Sequence, residues 1–191
     1  MFQEQQDYFM EKSKKVKVLD LGCGRNKHPG AIGVDMNPKS DADIIQDLNN
    51  FPYPFSDNQF DLIFAQNILE HLNDIVKVME ELYRIGKNGA KIYIRTSHFS
   101  SVDSFTDPTH KHFFTSCTFD YFIPGSNYYK FNYSEAKFKK IKVWVGPIDY
   151  CNLILKILLI LINKFLIHFE KRFAFIFPVG TISYELEIIK K

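Results

Sequence analysis

The sequence predicts an α/β domain built on a mostly parallel sheet. Short apolar runs alternate along the chain with turns and with a segment of helical periodicity, as in domains of this class. At 191 residues, 46% of them apolar, the chain is long enough to bury one sizeable core and to form one domain. The first apolar run leads into a Gly-x-Gly turn at 22–24, and the second ends on Asp35. We therefore expect a ligand site at the carboxyl ends of the strands.

Composition narrows the classes of function. The net charge is only +2 and the chain has no block of basic residues, which argues against a dedicated nucleic-acid-binding protein. Three cysteines, an odd number without metal-type spacing, indicate reduced thiols of a cytosolic protein. Residues 1–7 are too polar for a signal peptide, so we expect a cytoplasmic location.

The first half of the chain carries the predicted sheet. Residues 2–13 fit one amphipathic helix, and 73–85 fit a second, which Gly86 should end. The run at 60–66 is apolar on both faces, as expected of a central parallel strand. Predicted strands lie at 16–21, 31–36, 42–48, 60–66 and 90–97.

The glycine turn indicates a nucleoside-containing ligand. Glycines at the end of a strand let backbone N–H groups approach a ligand, and the Asp35 carboxylate suits a ribose diol. A dinucleotide site needs Gly-x-Gly-x-x-Gly opening a full helix, but the third position here is Lys27. Residues 25–30 are also too short and too rich in Pro and Gly for that helix, which argues against NAD or FAD.

Six motifs form an ordered series along the chain. They are Val-Leu-Asp-Leu-Gly-Cys-Gly at 18–24, Gly-Val-Asp at 33–35, Asp-Leu at 47–48, Phe-Pro-Tyr-Pro-Phe-Ser-Asp-Asn-Gln-Phe-Asp at 51–61, Leu-Glu-His-Leu at 69–72 and Glu-Glu-Leu-Tyr-Arg-Ile-Gly-Lys-Asn-Gly at 80–89. This series resembles the class I S-adenosylmethionine-dependent methyltransferases. The resemblance covers about residues 16–98 and is closest to a compact subgroup with a shortened first helix.

The resemblance implies a Rossmann-like sheet of seven strands, the last antiparallel at 181–189, with S-adenosylmethionine as cofactor and S-adenosylhomocysteine as product. It implies that Asp20 helps to hold the methionine ammonium, that Asp35 binds the ribose hydroxyls, and that Asp47 with the Leu48 backbone meets the adenine edge. The glycines, Ala65 and Gln66 would lie beside the methionine part. The full implied set is Asp20, Gly22, Cys23, Gly24, Asp35, Met36, Asp47, Leu48, Ala65 and Gln66.

Methyl transfer is a direct displacement, so alignment of donor and acceptor matters more than acid–base help. A general base is needed only for a hydroxyl or a protonated amine. His110, in the loops after the fifth strand, is our candidate catalytic residue, whereas His71 reads as a structural histidine. Asp107, His110 and His112 are weak grounds for a metal site, and we predict none.

The second half changes character. We expect a short capped helix at 115–122, a sixth strand at 138–145 and, before the last strand, a hydrophobic helical insertion. Thirteen of the seventeen residues at 153–169 are apolar, but Lys156 and Lys164 and the short length argue against a membrane span. Three alternatives remain for this helix, namely core packing, a homodimer surface and an interfacial helix at a membrane.

We therefore predict one methyltransferase domain over 1–191. Residues 16–98 would form its cofactor-binding core, and 99–135 and 147–178 its acceptor side. The acceptor is expected to be a small molecule and, if the interfacial alternative holds, a hydrophobic or lipid-linked one on a peripherally bound protein. The alternative function is a non-catalytic module with the same fold that holds the cofactor or a partner.

Overall fold

The structure, a computed structural model, describes residues 16–146 and 153–190. Seven strands in these two ranges form one sheet, in the order β3-β2-β1-β4-β5-β7-β6. The strands are β1 (Val18–Leu21), β2 (Ile32–Asp35), β3 (Ile44–Ile45), β4 (Phe60–Gln66), β5 (Gly86–Ser97), β6 (Phe138–Val145) and β7 (Thr181–Ile188).

The sheet confirms the predicted topology. β1 to β5 pair in parallel, so their carboxyl ends lie along one edge. β7 runs antiparallel to both β5 and β6, as expected for the last strand. Chain order reverses at β1, which has β2 on one side and β4 on the other, and this is where open α/β sheets bind ligands.

Element boundaries differ from the predicted ones mainly at the sheet edge. The fourth and sixth strands match, whereas the third shortens to Ile44–Ile45 because only two residues of the predicted 42–48 pair with β2. The predicted 115–122 helix is a 3₁₀ turn at Thr118–Phe122. The predicted helix at 2–13 lies outside the described residues.

Helix α1 (Ile75–Ile85) follows β4 and covers the sheet. It begins at Asp74, whose side chain accepts the Lys77 N–H, and it ends at Gly86, as predicted. Its buried face is Val78, Met79, Leu82 and Ile85, which are at most 1% exposed and belong to the main core. A short helix, α2 (Asp103–Thr106), follows β5.

A polar network on α1 holds the Pro-rich segment 51–57 in place. Arg84 binds Glu81 and Asp57 and donates to the carbonyls of Tyr53 and Phe55, and Glu81 also accepts the Tyr53 N–H. The Tyr53 hydroxyl in turn donates to the carbonyl of Leu48 over 3.0 Å. The loop after β3 is thereby fixed to α1 through one tyrosine.

The hydrophobic insertion forms two helices, α3 (Leu153–Lys164) and α4 (Leu166–Arg172). Asn163 fastens α3 to β6, because its amide both accepts the Val145 N–H and donates to the Val145 carbonyl. Only Leu159, Ile162, Leu166 and Phe169 of the two helices are buried hydrophobic residues, so core packing accounts for a minority of the apolar positions. Among the described residues, no helix is both long and apolar enough to cross a bilayer.

Candidate functional site

A cavity of about 420 Å³ lies at the carboxyl edge of β1 and β2. This volume is within the range of about 300–1,000 Å³ typical of small-molecule pockets. Its walls are mostly apolar, with two carboxylates. The lining residues are Gly22, Asp35, Met36, Asp47, Leu48, Asn49, Ile68, His71, Leu72, Thr109 and Lys111.

The first glycine of the turn occupies a position where a side chain would not fit. Gly22 has φ of +65°, and a Cβ built there would lie 2.5 Å from the side chain of Ile68, which also lines the cavity. Its N–H donates to the Val34 carbonyl, and the Gly24 N–H donates to Asp35, so both groups are used within the protein. The expectation that these N–H groups face a ligand is therefore wrong. The turn instead supplies close backbone approach and space.

The two cavity carboxylates are fixed by the backbone. Asp35 accepts the Gly24 N–H at Oδ2 over 2.9 Å and the Asn37 N–H at Oδ1 over 2.8 Å. Asp47 accepts both the backbone and the side-chain N–H of Asn49 at Oδ1. A carboxylate offers about four acceptor positions, so each keeps capacity for hydroxyl or amine donors of a ligand.

Asp20 and Gln66 are not on this wall. Asp20 is 3% exposed and accepts the His28 N–H over 2.8 Å, and burial raises its pKa. The Gln66 amide lies 3.1 Å from His28 Nε2. Burial lowers the pKa of His28, and this effect outweighs the Asp20 charge, which raises it. The neutral ring then accepts from the amide. Asp20 and Gln66 thus hold the 25–30 loop through His28.

The remaining predicted cofactor residues divide in the same way. Gly22, Asp35, Met36, Asp47 and Leu48 line the cavity, whereas Cys23, Gly24 and Ala65 are not among its lining residues. Ala65 is fully buried, and burial raises the pKa of the Cys23 thiol to about 11, which keeps it protonated. Gly24 contributes indirectly by orienting Asp35.

A second cavity of about 650 Å³ adjoins the first, and His71 lines both. Two buried polar atoms belong to its lining residues, Oε2 of Glu70 and Oγ of Ser97, and neither has a hydrogen-bond partner among the residues described. Unsatisfied buried polar atoms are costly and mark places where a ligand is expected. The lining residues are Asn67, Glu70, His71, Arg95, Ser97, Asp103, Thr106, Asp107, Pro108, His110, Gly180 and Thr181.

The histidines of this region separate into two kinds. The rings of His71 and His110 are 4.7 Å apart between centroids, at the wall of the second cavity. His112 instead turns away and lies 2.9 Å from the Leu72 carbonyl, so its Nε2 is the donor and fastens the loop. The predicted catalytic residue His110 therefore lies at a site, and His112 is structural.

Sequence reasoning missed the central position of His71. The motif Leu69-Glu70-His71-Leu72 was assigned to the family pattern, but its histidine was interpreted as structural. The available signal was position, because the motif directly follows β4 and a residue there lies at the carboxyl edge of the sheet. Ile68 and the loop residues Thr109 and Lys111 gave no comparable signal.

The family model described as "Methyltransferase domain" matches residues 19–94, which contain the glycine turn, Asp35, Asp47 and His71. Over residues 19–94 the chain is thus similar to that family. The strand order and the antiparallel β7 agree with the Rossmann-like methyltransferase fold. The matched range includes every lining residue of the first cavity except Thr109 and Lys111.

The chain is also similar to other known proteins. A solved S-adenosylmethionine-dependent methyltransferase of Archaeoglobus fulgidus aligns over 97% of this chain and 92% of its own, at TM-score 0.57 and 19% identity. A chloroplastic tocopherol O-methyltransferase of Arabidopsis thaliana is 31% identical over 110 residues, covering 45% of this chain and 32% of that protein. An uncharacterised protein of Methanocaldococcus jannaschii is 33% identical over 102 residues, 44% of this chain and 42% of its own. The chain thus matches less than half the length of these curated relatives.

Proposed function

We propose that this protein transfers a methyl group from S-adenosylmethionine to a small-molecule acceptor. The observation that carries the proposal is the pair of adjoining cavities that share His71. A donor in the first cavity and an acceptor in the second would meet at that shared wall. The methyltransferase domain match and the tocopherol O-methyltransferase relative support the same reaction class.

The first cavity fits an adenosyl group. We propose that Asp35 accepts the ribose hydroxyls, with its carboxylate already oriented by Gly24 and Asn37. Asp47 and the Leu48 backbone would meet the adenine edge, and the two-thirds-exposed Met36 would cover its face. Gly22 would let the backbone approach the methionine part, and a Cβ at this position would instead meet Ile68. Asp20 and Gln66 act as positioning residues through His28.

S-Adenosylmethionine, when bound, supplies an electrophilic methyl group on a sulfonium. The chain's own contribution is alignment and exclusion of water, which can lower the barrier by up to about 7–11 kcal/mol. We propose His110 as the catalytic residue facing the acceptor. Its Nδ1 lies 3.2 Å from the Ser104 carbonyl and must donate, so Nε2 is the nitrogen left for chemistry.

The acceptor side suggests a ligand with a polar head and an apolar body. Ser97 Oγ and Glu70 Oε2 are buried polar atoms that have no hydrogen-bond partner within 16–146 and 153–190. Apolar side chains neighbour the lining residues along the chain, with Val102, Phe105 and Phe113 between half and three-quarters exposed. We propose residues 16–98 as the donor part of a single domain and 99–135 with 147–178 as the acceptor part.

We further propose that the insertion lies on an anionic lipid surface, which would make the acceptor hydrophobic or lipid-linked. The exposed face of α3 and α4 carries Leu153, Ile154, Leu155, Ile157, Leu158, Ile160, Leu161, Phe165 and Ile167. Charge favours lipid over a second copy of the chain. The single acid of residues 153–178, Glu170, binds inward to Ser116 and His98, whereas Lys156, Lys164, Lys171 and Arg172 are exposed. An apolar face flanked by cations is typical of interfacial helices.

The reaction is tested with purified protein and S-adenosylmethionine. Saturation at about a hundredfold over the dissociation constant should add about 2.7 kcal/mol, or roughly 5–11 °C in melting temperature. Hydrophobic hydroxylated acceptors presented in vesicles should then yield S-adenosylhomocysteine. A melting shift without turnover on any acceptor would favour the binding-module alternative, and no shift at all would contradict the proposal.

A further inference from the structure

We propose that Glu70, His71 and His110 bind one divalent transition-metal ion, Zn²⁺ or a first-row neighbour, in the second cavity. One potential ligand atom from each residue lies within 4.8 Å of those of the other two. Two imidazoles and one carboxylate form a ligand set that suits such ions and leaves coordination positions open. Those positions would face the cavity in which an acceptor is proposed to bind.

The Glu70 carboxylate supplies the independent reason to expect a cation. The residue is 2% exposed, and within the described part of the chain its Oε2 has no hydrogen-bond partner. A buried carboxylate oxygen without a donor is costly unless a charge or a metal compensates it. Glu70 is held in this position by its backbone, whose carbonyl accepts the Lys111 N–H over 2.7 Å.

Hydrogen bonds also set the tautomer of His71. Thr109 Oγ1 lies 2.7 Å from Asp107 Oδ1 and 2.8 Å from His71 Nδ1. The Thr109 hydroxyl has one proton, which the Asp107 carboxylate can only accept, so His71 Nδ1 must donate to the hydroxyl. In the neutral ring, Nε2 therefore carries the free lone pair.

His110 is oriented by the same principle. Its Nδ1 lies 3.2 Å from the Ser104 carbonyl, which can only accept, and Nε2 again keeps the lone pair. Metal-binding histidines usually donate their other nitrogen to a carbonyl, a carboxylate or a similar group, and this fixes the ring. Both rings here already have that partner.

Binding requires a small local contraction. Ligand atoms about 2.0–2.2 Å from one ion lie about 3–4 Å apart, so the most separated pair here must approach by about 1 Å. The Asp107 to His112 loop that carries His110 is also exposed at Pro108 and Thr109, which allows that movement. His112, part of the cluster considered from sequence alone, does not join because it donates to the Leu72 carbonyl.

The ion would bind an acceptor oxygen at its open positions and stabilise negative charge there. This role rests on the proposed methyltransferase function, whereas ion binding itself does not. With the ion present, an acceptor hydroxyl would release its proton to solvent when its oxygen binds the ion, and His110 would act as a metal ligand and not as the base. The two roles of His110 therefore predict different metal requirements.

The test is titration of the chelator-treated full chain with Co²⁺, followed by visible absorption and calorimetry. We expect one equivalent to bind with d–d bands of nitrogen and oxygen ligation, and Zn²⁺ to displace it. Glu70→Gln and His110→Gln should each weaken binding by more than the roughly 10–100-fold loss typical of an outer partner. Thr109→Val, which removes an outer partner of His71, should weaken binding by an amount within that range. His168→Ala, which removes an exposed imidazole on α4, is the matched control and should bind normally.

Melting temperature and the shift with S-adenosylmethionine are measured on every variant, so that a folding defect is separated from loss of a ligand. A wild-type chain that binds S-adenosylmethionine but no Co²⁺ would overturn the metal site and leave the proposed function standing. Binding that survives Glu70→Gln and His110→Gln but is lost in His168→Ala would overturn it too. Stoichiometric Co²⁺ binding without a cofactor shift would support the site and contradict the proposed donor.

Discussion

The Gly24 N–H donates to Asp35 Oδ2 over 2.9 Å, joining the turn after β1 to the end of β2. The bond links the two motifs that are eleven residues apart in sequence and fixes the carboxylate at the cavity wall. Because a second bond from Asn37 holds the other oxygen, Asp35 is oriented before any ligand arrives. Preorganisation of this kind lowers the cost of binding.

Asp35→Ala should weaken S-adenosylmethionine binding by about 1–3 kcal/mol, or roughly 5- to 150-fold, because the ribose acceptor is lost. Calorimetry on folded protein measures the change. Asp41→Ala removes an exposed carboxylate six residues away that does not line the cavity and should bind as the wild type does. Equal affinity in all three proteins would mean that the ribose lies elsewhere.

Gly22→Ala should be more destabilising than Gly89→Ala. Both glycines have positive φ, +65° and +80°, but only the Cβ at Gly22 meets a neighbour, Ile68 at 2.5 Å. The strain of about 1–3 kcal/mol is thus common to both, and overpacking of similar size is added at Gly22. Chemical denaturation measures the free energy of unfolding. Ile68→Ala in the Gly22→Ala background should recover part of the loss, and no recovery would contradict the steric account.

The ion pair between Glu81 and Arg84 should make the fold sensitive to acid. Burial raises the pKa of Glu81, but hydrogen bonds from Arg84 and the Tyr53 N–H outweigh it, and the pKa is lowered overall. A lowered folded-state pKa contributes stability that is present above the unfolded value of 4.5 and is lost as pH falls through the folded value. Glu81→Gln should reduce stability at pH 7 and flatten its decline below about pH 4.5.

The Lys77→Met control removes only a 4.0 Å surface pair and should change stability by less than about 0.5 kcal/mol. An undiminished acid transition in Glu81→Gln would refute the assignment.

Leu161→Glu should reduce binding to vesicles that contain anionic lipid, since it places a charge on the exposed apolar face of α3. Lys164→Glu should reduce it as well, and more strongly at low salt, because its contribution is electrostatic. Co-sedimentation with anionic and neutral vesicles measures both. Lys39→Glu changes an exposed lysine of the donor part, residues 16–98, and is the charge-matched control. Equal sedimentation of all variants, or concentration-dependent dimerisation that Leu161→Glu abolishes, would contradict a lipid surface.

The sheet could be predicted from sequence because each strand carries its own signal. Phe60–Gln66 is apolar on both faces and Phe138–Val145 combines apolar residues with a solvated lysine face, so the local pattern predicts both strands. β3 was predicted too long because the pairing of an edge strand depends on its neighbour, which local sequence does not encode.

The site was predictable only where a motif fixes the backbone. Asp35 and Asp47 end or follow strands, and the cavity includes both. Asp20 and Gln66 were predicted on the same grounds, but both contact His28 and neither lines this cavity. The cluster of Glu70, His71 and His110 joins segments forty residues apart through loop packing, and no local pattern reports such an approach.

The most direct measurement is a crystal structure of the protein with S-adenosylhomocysteine. We expect the adenosyl group in the 420 Å³ cavity, with the ribose hydroxyls on Asp35, the adenine edge at Asp47 and Leu48, and the sulfur toward His71. A cavity that stays empty at saturating ligand, or a ligand bound away from Gly22 and Asp35, would contradict the account.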